Sequence, residues 1–184
     1  MEIRELAAGD EIAAFCSGND ALDAWFKARA RENRRRGFGT TYVAVEAGGV
    51  LGFVSTTATS IERARVKRGQ GPDQWPALLI ARMAVSRDHQ GRGIGKRLIA
   101  HAFVVADAQY ELSGCAAVIV DAKLSAAEFY RQFGFKDLLV LEGDPAPTET
   151  SPIKMFIPIS TVREAMEDAA RGMPAKVPTT ESPR

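Results

Sequence analysis

The chain has 184 residues, 46% apolar and 26% charged, with two cysteines and a formal net charge of +1. That length suits one domain with a sizeable core, and no apolar run approaches the roughly 20 residues needed to cross a bilayer. The near-neutral total argues for no particular partner, and Cys16 and Cys115 lack the close spacing of a zinc or dithiol pair, so no metal site is expected.

Charge is unevenly distributed. Residues 1–97 hold 16 Lys and Arg against 11 Asp and Glu, whereas residues 98–184 hold 8 against 12. A basic first half can bind a polyanion locally. The opening Met1-Glu2-Ile3-Arg4-Glu5 lacks the apolar stretch of a secretory signal. A reducing cytosol, with both thiols acting as small hydrophobes, is the expected setting.

Asn19 or Asp20 can cap a first helix in which Leu22, Trp25, Phe26 and the stem of Arg29 share one face. Its other face carries Lys27, Arg31, Arg34 and Arg35, and Gly37 and Gly39 end it. Thr41–Val45 reads as a strand, Ala47-Gly48-Gly49 as a turn, and Val50 to about Ser60 as its hairpin partner. A basic connection over 62–76 ends in Trp75-Pro76, and Leu78–Val85 is a buried strand interrupted only by Arg82. Ile94, Leu98, His101, Ala102, Val105 and Ala108 mark one face of a long helix. Ala116–Val120 is another buried strand, and Ser125 with Glu128 forms a capping box for a helix that stops at Gly134. Leu138–Leu141 and Met155–Ile159 are closing strands around a Pro-rich loop at 143–152, and Thr161 with Glu164 caps a last helix. The order predicts an α+β domain over 1–171 with a mixed central sheet flanked by helices, and a disordered tail over 172–184.

The segment Gln90-Gly91-Arg92-Gly93-Ile94-Gly95 lies between a buried strand and a helix. Glycines let the backbone turn its N–H groups toward a ligand, and the helix start favours a pyrophosphate. Arg92, Lys96 and Arg97 add positive charge. Gly95-Lys96 is followed by Arg97, so this is no Walker loop, and Gly91-x-Gly93-x-Gly95 has the wrong spacing for a dinucleotide fingerprint.

Gln90-x-x-Gly93-x-Gly95, after the strand Ala81-Arg82-Met83-Ala84-Val85, resembles the acetyl-CoA motif of GNAT N-acetyltransferases. The run Ala127-Glu128-Phe129-Tyr130-Arg131-Gln132-Phe133-Gly134-Phe135 is similar to a second segment of that family. Phe15-Cys16-Ser17-Gly18, Leu22-Asp23-Ala24-Trp25-Phe26, Ile80–Val85 and Val120-Asp121-Ala122-Lys123 are similar to the GNAT toxins of toxin–antitoxin pairs, which acetylate aminoacyl-tRNA. Ala81 stands where that group often has Gly, and Ser86 where it often has Asp. The resemblance implies a GNAT fold and acetyl-CoA as co-substrate. It places acetyl-CoA against Met83, Ala84 and Val85, whose backbone supplies oxyanion donors, and against Gln90, Gly91, Arg92, Gly93, Ile94, Gly95, Lys96 and Arg97. It also implies a homodimer and a ribbon–helix–helix antitoxin partner.

Tyr130 is the candidate catalytic residue. In the resembled family this tyrosine lies beside the CoA sulfur, and a phenol there can protonate the departing thiolate. The competing reading makes it a core aromatic. Phe129 and Phe133 are four apart and face the core, while Tyr130 lies about 100° away and can face the ligand. No carboxylate stands out as a general base, although Glu46 or Asp121 could reach the site. An α-amino group titrates near 8, about two units below lysine, and needs little base. Arg34, Arg35 and Arg36, with Lys27, Arg29 and Arg31 and a second cluster of Arg63, Arg65, Lys67 and Arg68, either hold an RNA backbone or form a solvated face. Arg82 is either paired to a carboxylate or points into the acceptor cleft. The resemblance to the toxins makes acetylation of aminoacyl-tRNA the first reading. Acetylation of a small amine or protein N-terminus is the alternative, and a CoA-binding or antitoxin-binding module without turnover is a third reading.

Overall fold

The computed structural model describes residues 1–67, 69–145, 148 and 151–172, so the tail expected over 172–184, apart from Gly172, and Arg68 lie outside the described residues. The elements are β1 (Glu2–Glu5), α1 (Asp20–Arg35), β2 (Thr40–Glu46), β3 (Gly49–Glu62), β4 (Gln74–Val85), α2 (Ile94–Ser113), β5 (Ala117–Ala122), α3 (Ala127–Arg131), β6 (Lys136–Asp137), β7 (Ile153–Pro158) and α4 (Ile159–Ala170). This is the α+β class with a mixed sheet that the order of elements predicts. Two compact units form: Met1–Thr59 with Leu78–Val105, and Ser60–Ala77 with Ala106–Arg184.

In the first unit the strand order is β1-β2-β3-β4. The β2–β3 hairpin pairs Val43 with Phe53 and Tyr42 with Val54. Alternation along β2 and β3 drives Val43 and Phe53 inward, where they meet Ile12, Phe15, Phe26, Ala30 and Ala84. Phe26 of α1 stacks on Phe53 at 4.2 Å, and Phe15 meets both rings edge-on at 5.0 and 5.5 Å. Truncating either fully buried ring to alanine would cost about 3–5 kcal/mol. Asn19 caps α1 by accepting from Leu22 N–H at 3.1 Å. β1 pairs antiparallel with β2, Glu2 opposite Val45 and Glu5 opposite Tyr42. β1 is not foreseeable from the sequence, because four residues bearing three charges carry no period-2 apolar signal.

In the second unit the first residues of β4 lead the order β4-β5-β7-β6. β5 and β7 pair antiparallel with Val118 opposite Ile157. Ile61, Val66, Ala77, Ala117 and Phe156 form its core cluster. Arg163 pins α4 to α2 through Asp107 at 2.9 Å and Glu111 at 2.7 Å, and lies 4.3 Å from the Tyr110 ring centroid.

Several boundaries depart from expectation. β4 begins at Gln74, so Trp75-Pro76 lies in the strand; Pro76 offers only its carbonyl, which accepts from Ala116 N–H at 2.7 Å. The Ser125 capping box does not form. Leu124–Ala126 is a 3-10 turn, Ala126 is the N-cap without a side-chain bond, and Glu128 pairs with Arg131 at 2.6 Å. The strand expected at Leu138–Leu141 is only Lys136–Asp137, because Leu139 N–H turns away to Arg65 O at 2.8 Å. α4 starts at Ile159 behind Pro158, without a cap from Thr161. On α2 the buried residues are Ile94, Leu98, Ile99, Ala102, Phe103 and Ala106, while Ala108 is exposed.

Candidate active site

The connection from β4 to α2 is fixed by short backbone bonds and one side chain. Ser86 N–H donates to Leu51 O and Arg87 N–H to Cys16 O, both at 2.8 Å. A 3-10 turn over Arg87–His89 follows. Gln90 Nε2 then donates to Ser17 O at 3.1 Å and to Val85 O at 3.2 Å, tying the end of β4 to the segment before α1. Ser17 is itself held by α1: its N–H lies 3.0 Å from both carboxyl oxygens of Asp23, and its Oγ donates to Asp23 Oδ1 at 2.6 Å.

Gly91 and Gly93 have φ of 77° and 76°. A Cβ on either would meet nothing within 4 Å, so conformation and not crowding calls for glycine. Left-handed residues flanking an ordinary one turn successive N–H groups to one side and form an anion-binding nest. The 20-residue helix α2 begins at Ile94 and adds the unpaired donors and partial positive charge of its N-terminus. Ile94 is buried and seats the helix, Gly95 is half-buried, and Lys96 and Arg97 are exposed.

The loop cations are not equivalent. Arg92 Nη2 donates to Glu46 Oε2 at 3.0 Å, and the N-terminal ammonium lies 3.5 Å from the same carboxyl. Arg97 Nη2 donates to Met1 O at 3.4 Å. Lys96 makes no ion pair among the described residues. The Arg92 guanidinium holds the Glu46 carboxyl below its usual range, the wrong direction for a general base near neutrality. Along β4, Ala84 is buried, and Met83 and Val85 are half-buried.

Gly52 belongs to no motif of the sequence, yet it sits at a tight contact in the fold. A Cβ there would lie 2.9 Å from Ala84 O, 3.2 Å from Leu98 Cδ1 and 3.3 Å from Ile94 Cγ2. Glycine at this point of β3 lets the first turns of α2 and the end of β4 close on it. A glycine inside an apolar strand was the available signal.

No carboxylate pairs with Arg82 among the described residues. Its guanidinium lies over the Trp25 ring, 4.6 Å from the centroid, and that indole stacks on Phe53 at 6.0 Å. The aromatic face takes the place of a carboxylate.

The basic helix is partly self-neutralised. Arg34 Nε donates to Glu5 Oε1 at 2.6 Å, and Arg29 and Arg36 share Glu32 at 3.0 and 3.4 Å. Arg36 also lies 4.7 Å from the Phe38 ring centroid. Arg31 donates to Ala7 O at 3.2 Å and to Asp10 O at 2.5 Å. Lys27 and Arg35 have no ion pair among the described residues. In the second unit, Arg63 pairs with Asp73 at 2.9 Å and Arg65 grips Asp144 through two bonds of 2.6 and 2.8 Å. Lys67 is exposed.

Tyr130, also in the second unit, is 7% exposed, and burial pushes its phenol up to about 12. Its ring meets Phe129 at 5.3 Å and Phe135 at 5.6 Å, edge to face. The expected division of faces is reversed, since Phe129 and Phe133 are only half-buried. Phe129 and Phe133 do share a face, with ring centroids 5.2 Å apart, although α3 itself ends at Arg131. The reversal at Gly134 brings Phe135 back onto the tyrosine.

Among the described residues no group of His, Cys, Asp and Glu could hold a metal ion, and no helix is long and apolar enough to cross a membrane. The model of the acetyltransferase (GNAT) domain matches residues 37–137. A tRNA-acetylating toxin of Mycobacterium tuberculosis is 33% identical over 138 residues, 72% of this chain and 82% of that protein. AtaT complexed with acetyl-methionyl-tRNAfMet superposes with a TM-score of 0.77 at 22% identity, covering 90% of this chain and 98% of that one. A tyrosine-to-phenylalanine mutant of AtaT bound to acetyl-CoA and the C-terminus of the antitoxin AtaR gives a TM-score of 0.73 at 22% identity, covering 90% and 97%.

Proposed function

The chain belongs to the GNAT acetyltransferase family, and on that footing we propose that it transfers acetyl from acetyl-CoA to the α-amino group of an aminoacyl-tRNA, blocking translation. The observation that carries the reading is the pair of left-handed glycines, Gly91 and Gly93, at the start of a 20-residue helix. Backbone donors and the helix dipole together suit a pyrophosphate. Lys96 adds an unpaired charge beside them.

In this reaction the amine nitrogen attacks the thioester carbonyl, the new C–N bond forms, the C–S bond breaks to release the CoA thiolate, which takes the proton of Tyr130, and the amine's surplus proton passes to solvent, from which the tyrosine is reprotonated. Tyr130 is the proposed general acid at sulfur. A phenol pushed up to about 12 by burial stays protonated near neutrality and can donate a hydrogen bond to the departing sulfur, but it is a weaker acid than a free phenol. No carboxylate is assigned as base. Glu46 is engaged by Arg92, and an α-amino group is already partly neutral near pH 8. Unpaired Arg35 and Lys27, with Arg34 and Arg36 once their carboxylates are displaced, are the proposed RNA contacts, and Arg82 is kept as an acceptor-side residue. The named relatives support the tRNA acceptor and an antitoxin partner, and the cytoplasm is the proposed site of action. We propose that partner to be of the ribbon–helix–helix type and the toxin to be a homodimer.

The internal pairing of Arg34 with Glu5 and of Arg29 and Arg36 with Glu32 favours a second reading, in which the acceptor is a small amine or a protein N-terminus. Incubation with a set of charged tRNAs and labelled acetyl-CoA separates the two. Label on an aminoacyl-tRNA supports the first reading. Label on none of them, with a free amine still acetylated, leaves the second.

A further inference from the structure

We propose that Asp23 is a positioning residue for the pyrophosphate loop, acting through Ser17 and Gln90; the inference rests on the reading that this loop binds acetyl-CoA. Asp23 is 7% exposed and lies on α1, three residues beyond the start of the helix, outside the loop itself. Its two carboxyl oxygens take the Ser17 N–H at 3.0 Å each, and Oδ1 also takes the Ser17 hydroxyl at 2.6 Å. The same hydroxyl accepts from Asn19 N–H at 3.2 Å. The peptide around Ser17 is thereby fixed from one side by a buried group.

That peptide carries the loop on its other side. Cys16 O takes Arg87 N–H at 2.8 Å, and Ser17 O takes Gln90 Nε2 at 3.1 Å. The Arg87 guanidinium lies against Gly18. The second bond of Gln90 Nε2, to Val85 O at 3.2 Å, joins the assembly to the end of β4. The run Asp23–Ser17–Gln90 therefore sets where Gly91 leaves Gln90, and the nest made by Gly91 and Gly93 inherits that placement. It also accounts for the spacing of Cys16-Ser17-Gly18 and Leu22-Asp23, two sequence segments that no step of acetyl transfer uses. Removing a buried hydrogen bond to a charged group is enough to move affinity by about tenfold.

The test is a double-mutant cycle read by acetyl-CoA calorimetry on the full chain, with thermal unfolding alongside. Asp23→Asn and Gln90→Met each weaken acetyl-CoA about tenfold, and the double variant is no weaker than the worse single within about twofold. KM for acetyl-CoA rises correspondingly, while kcat at saturation changes little. An unchanged Kd in folded Asp23→Asn, or losses that multiply in the double variant, overturns the proposal. Should Asp23→Asn fail to fold, Ser17→Ala carries the test, because it removes the two bonds of the hydroxyl, to Asp23 and from Asn19 N–H, and keeps the backbone donor. Several-fold weaker binding supports the proposal and unchanged binding overturns it. A wild-type chain that leaves acetyl-CoA unbound sinks the functional reading as well, an outcome distinct from binding that the variants do not alter.

Discussion

Arg34 Nε sits 2.6 Å from Glu5 Oε1, so an arginine of the basic helix is already engaged by the edge strand β1. Both side chains are about half exposed, and a phosphate must displace the carboxylate to use this cation. Arg35, without an ion pair among the described residues, has no such competitor. Arg35→Glu should therefore weaken acetylation of charged tRNA more than Arg34→Glu at 50 mM salt. Glu5→Gln should strengthen RNA binding by releasing Arg34. Each lost phosphate contact should lower the slope of log Kd against log salt by roughly 1. Turnover of a small amine by the same variants should stay within twofold. Equal loss on both acceptors would remove α1 from the RNA surface.

Much of the first unit could be read in advance because its signals are local and periodic. Asn19 caps α1, Gly91 and Gly93 adopt the backbone their type predicts, and β2 and β3 pair about the Ala47–Gly48 turn. The misreadings fall where a long-range partner overrides a local pattern. Leu138–Leu141 has the residues of a strand, but Arg65 O takes the Leu139 amide and Asp144 accepts from Leu141 N–H at 2.9 Å. Ser125 and Glu128 have the spacing of a capping box, but Arg131 takes the glutamate. The burial of Tyr130 depended on Phe135, beyond the end of α3, which no helical spacing could include. Arg82 was legible as an anomaly in an apolar strand, and its partner Trp25, 57 positions earlier, was not.

Burial holds the Tyr130 phenol at about 12, above the roughly 10 of an unfolded chain. A raised value means the folded state keeps a proton that the unfolded state has lost. The associated stability is present in full below pH 10 and falls as pH rises through 10 to 12, by an amount on the order of 2–3 kcal/mol. Tyr130→Phe should flatten the fall in unfolding free energy across that window. At pH 8 the same substitution should cut kcat by about a hundredfold while acetyl-CoA affinity stays within threefold, the range expected of a general acid. The alkaline limb of the wild-type rate below pH 10 should then belong to another group. A phenylalanine variant with full kcat would reduce Tyr130 to a core aromatic.

Arg65 and Asp144 close a two-bond fork in the second unit, and Asp144 also accepts from Leu141 N–H. These bonds, led by the one from Arg65, hold the Asp144 carboxyl well below the usual carboxylate range. A depressed value gives stability that is present above the unfolded value near 4 and lost as pH falls below it. Asp144→Asn should lower Tm at pH 7, and the gap from wild type should narrow steadily below about pH 4. Thermal unfolding between pH 2.5 and 7 reads this directly. A gap independent of pH would mean that the fork contributes shape and not charge. Arg65→Glu, in contrast with Arg35→Glu, should act on Tm before it acts on RNA.

Gly52 tests whether the seat of α2 controls the loop in front of it. A methyl group at this position would come within 2.9 Å of the Ala84 carbonyl oxygen, and backbone cannot swing aside as a side-chain tip can. Either β4 shifts near its end or the first turn of α2 lifts, with Ile94 and Leu98 already within 3.3 Å of the added atom. Overpacking of this kind costs about 1–3 kcal/mol. Gly52→Ala should lower Tm by several degrees and weaken acetyl-CoA by more than fivefold, since the displaced turn carries the donors beyond Gly93. Phe53→Leu, a neighbouring core change of comparable cost, should lower Tm without the loss of affinity. Parallel calorimetry of the two variants decides the matter: equal affinity at equal destabilisation would mean that the helix seat and the loop are set independently.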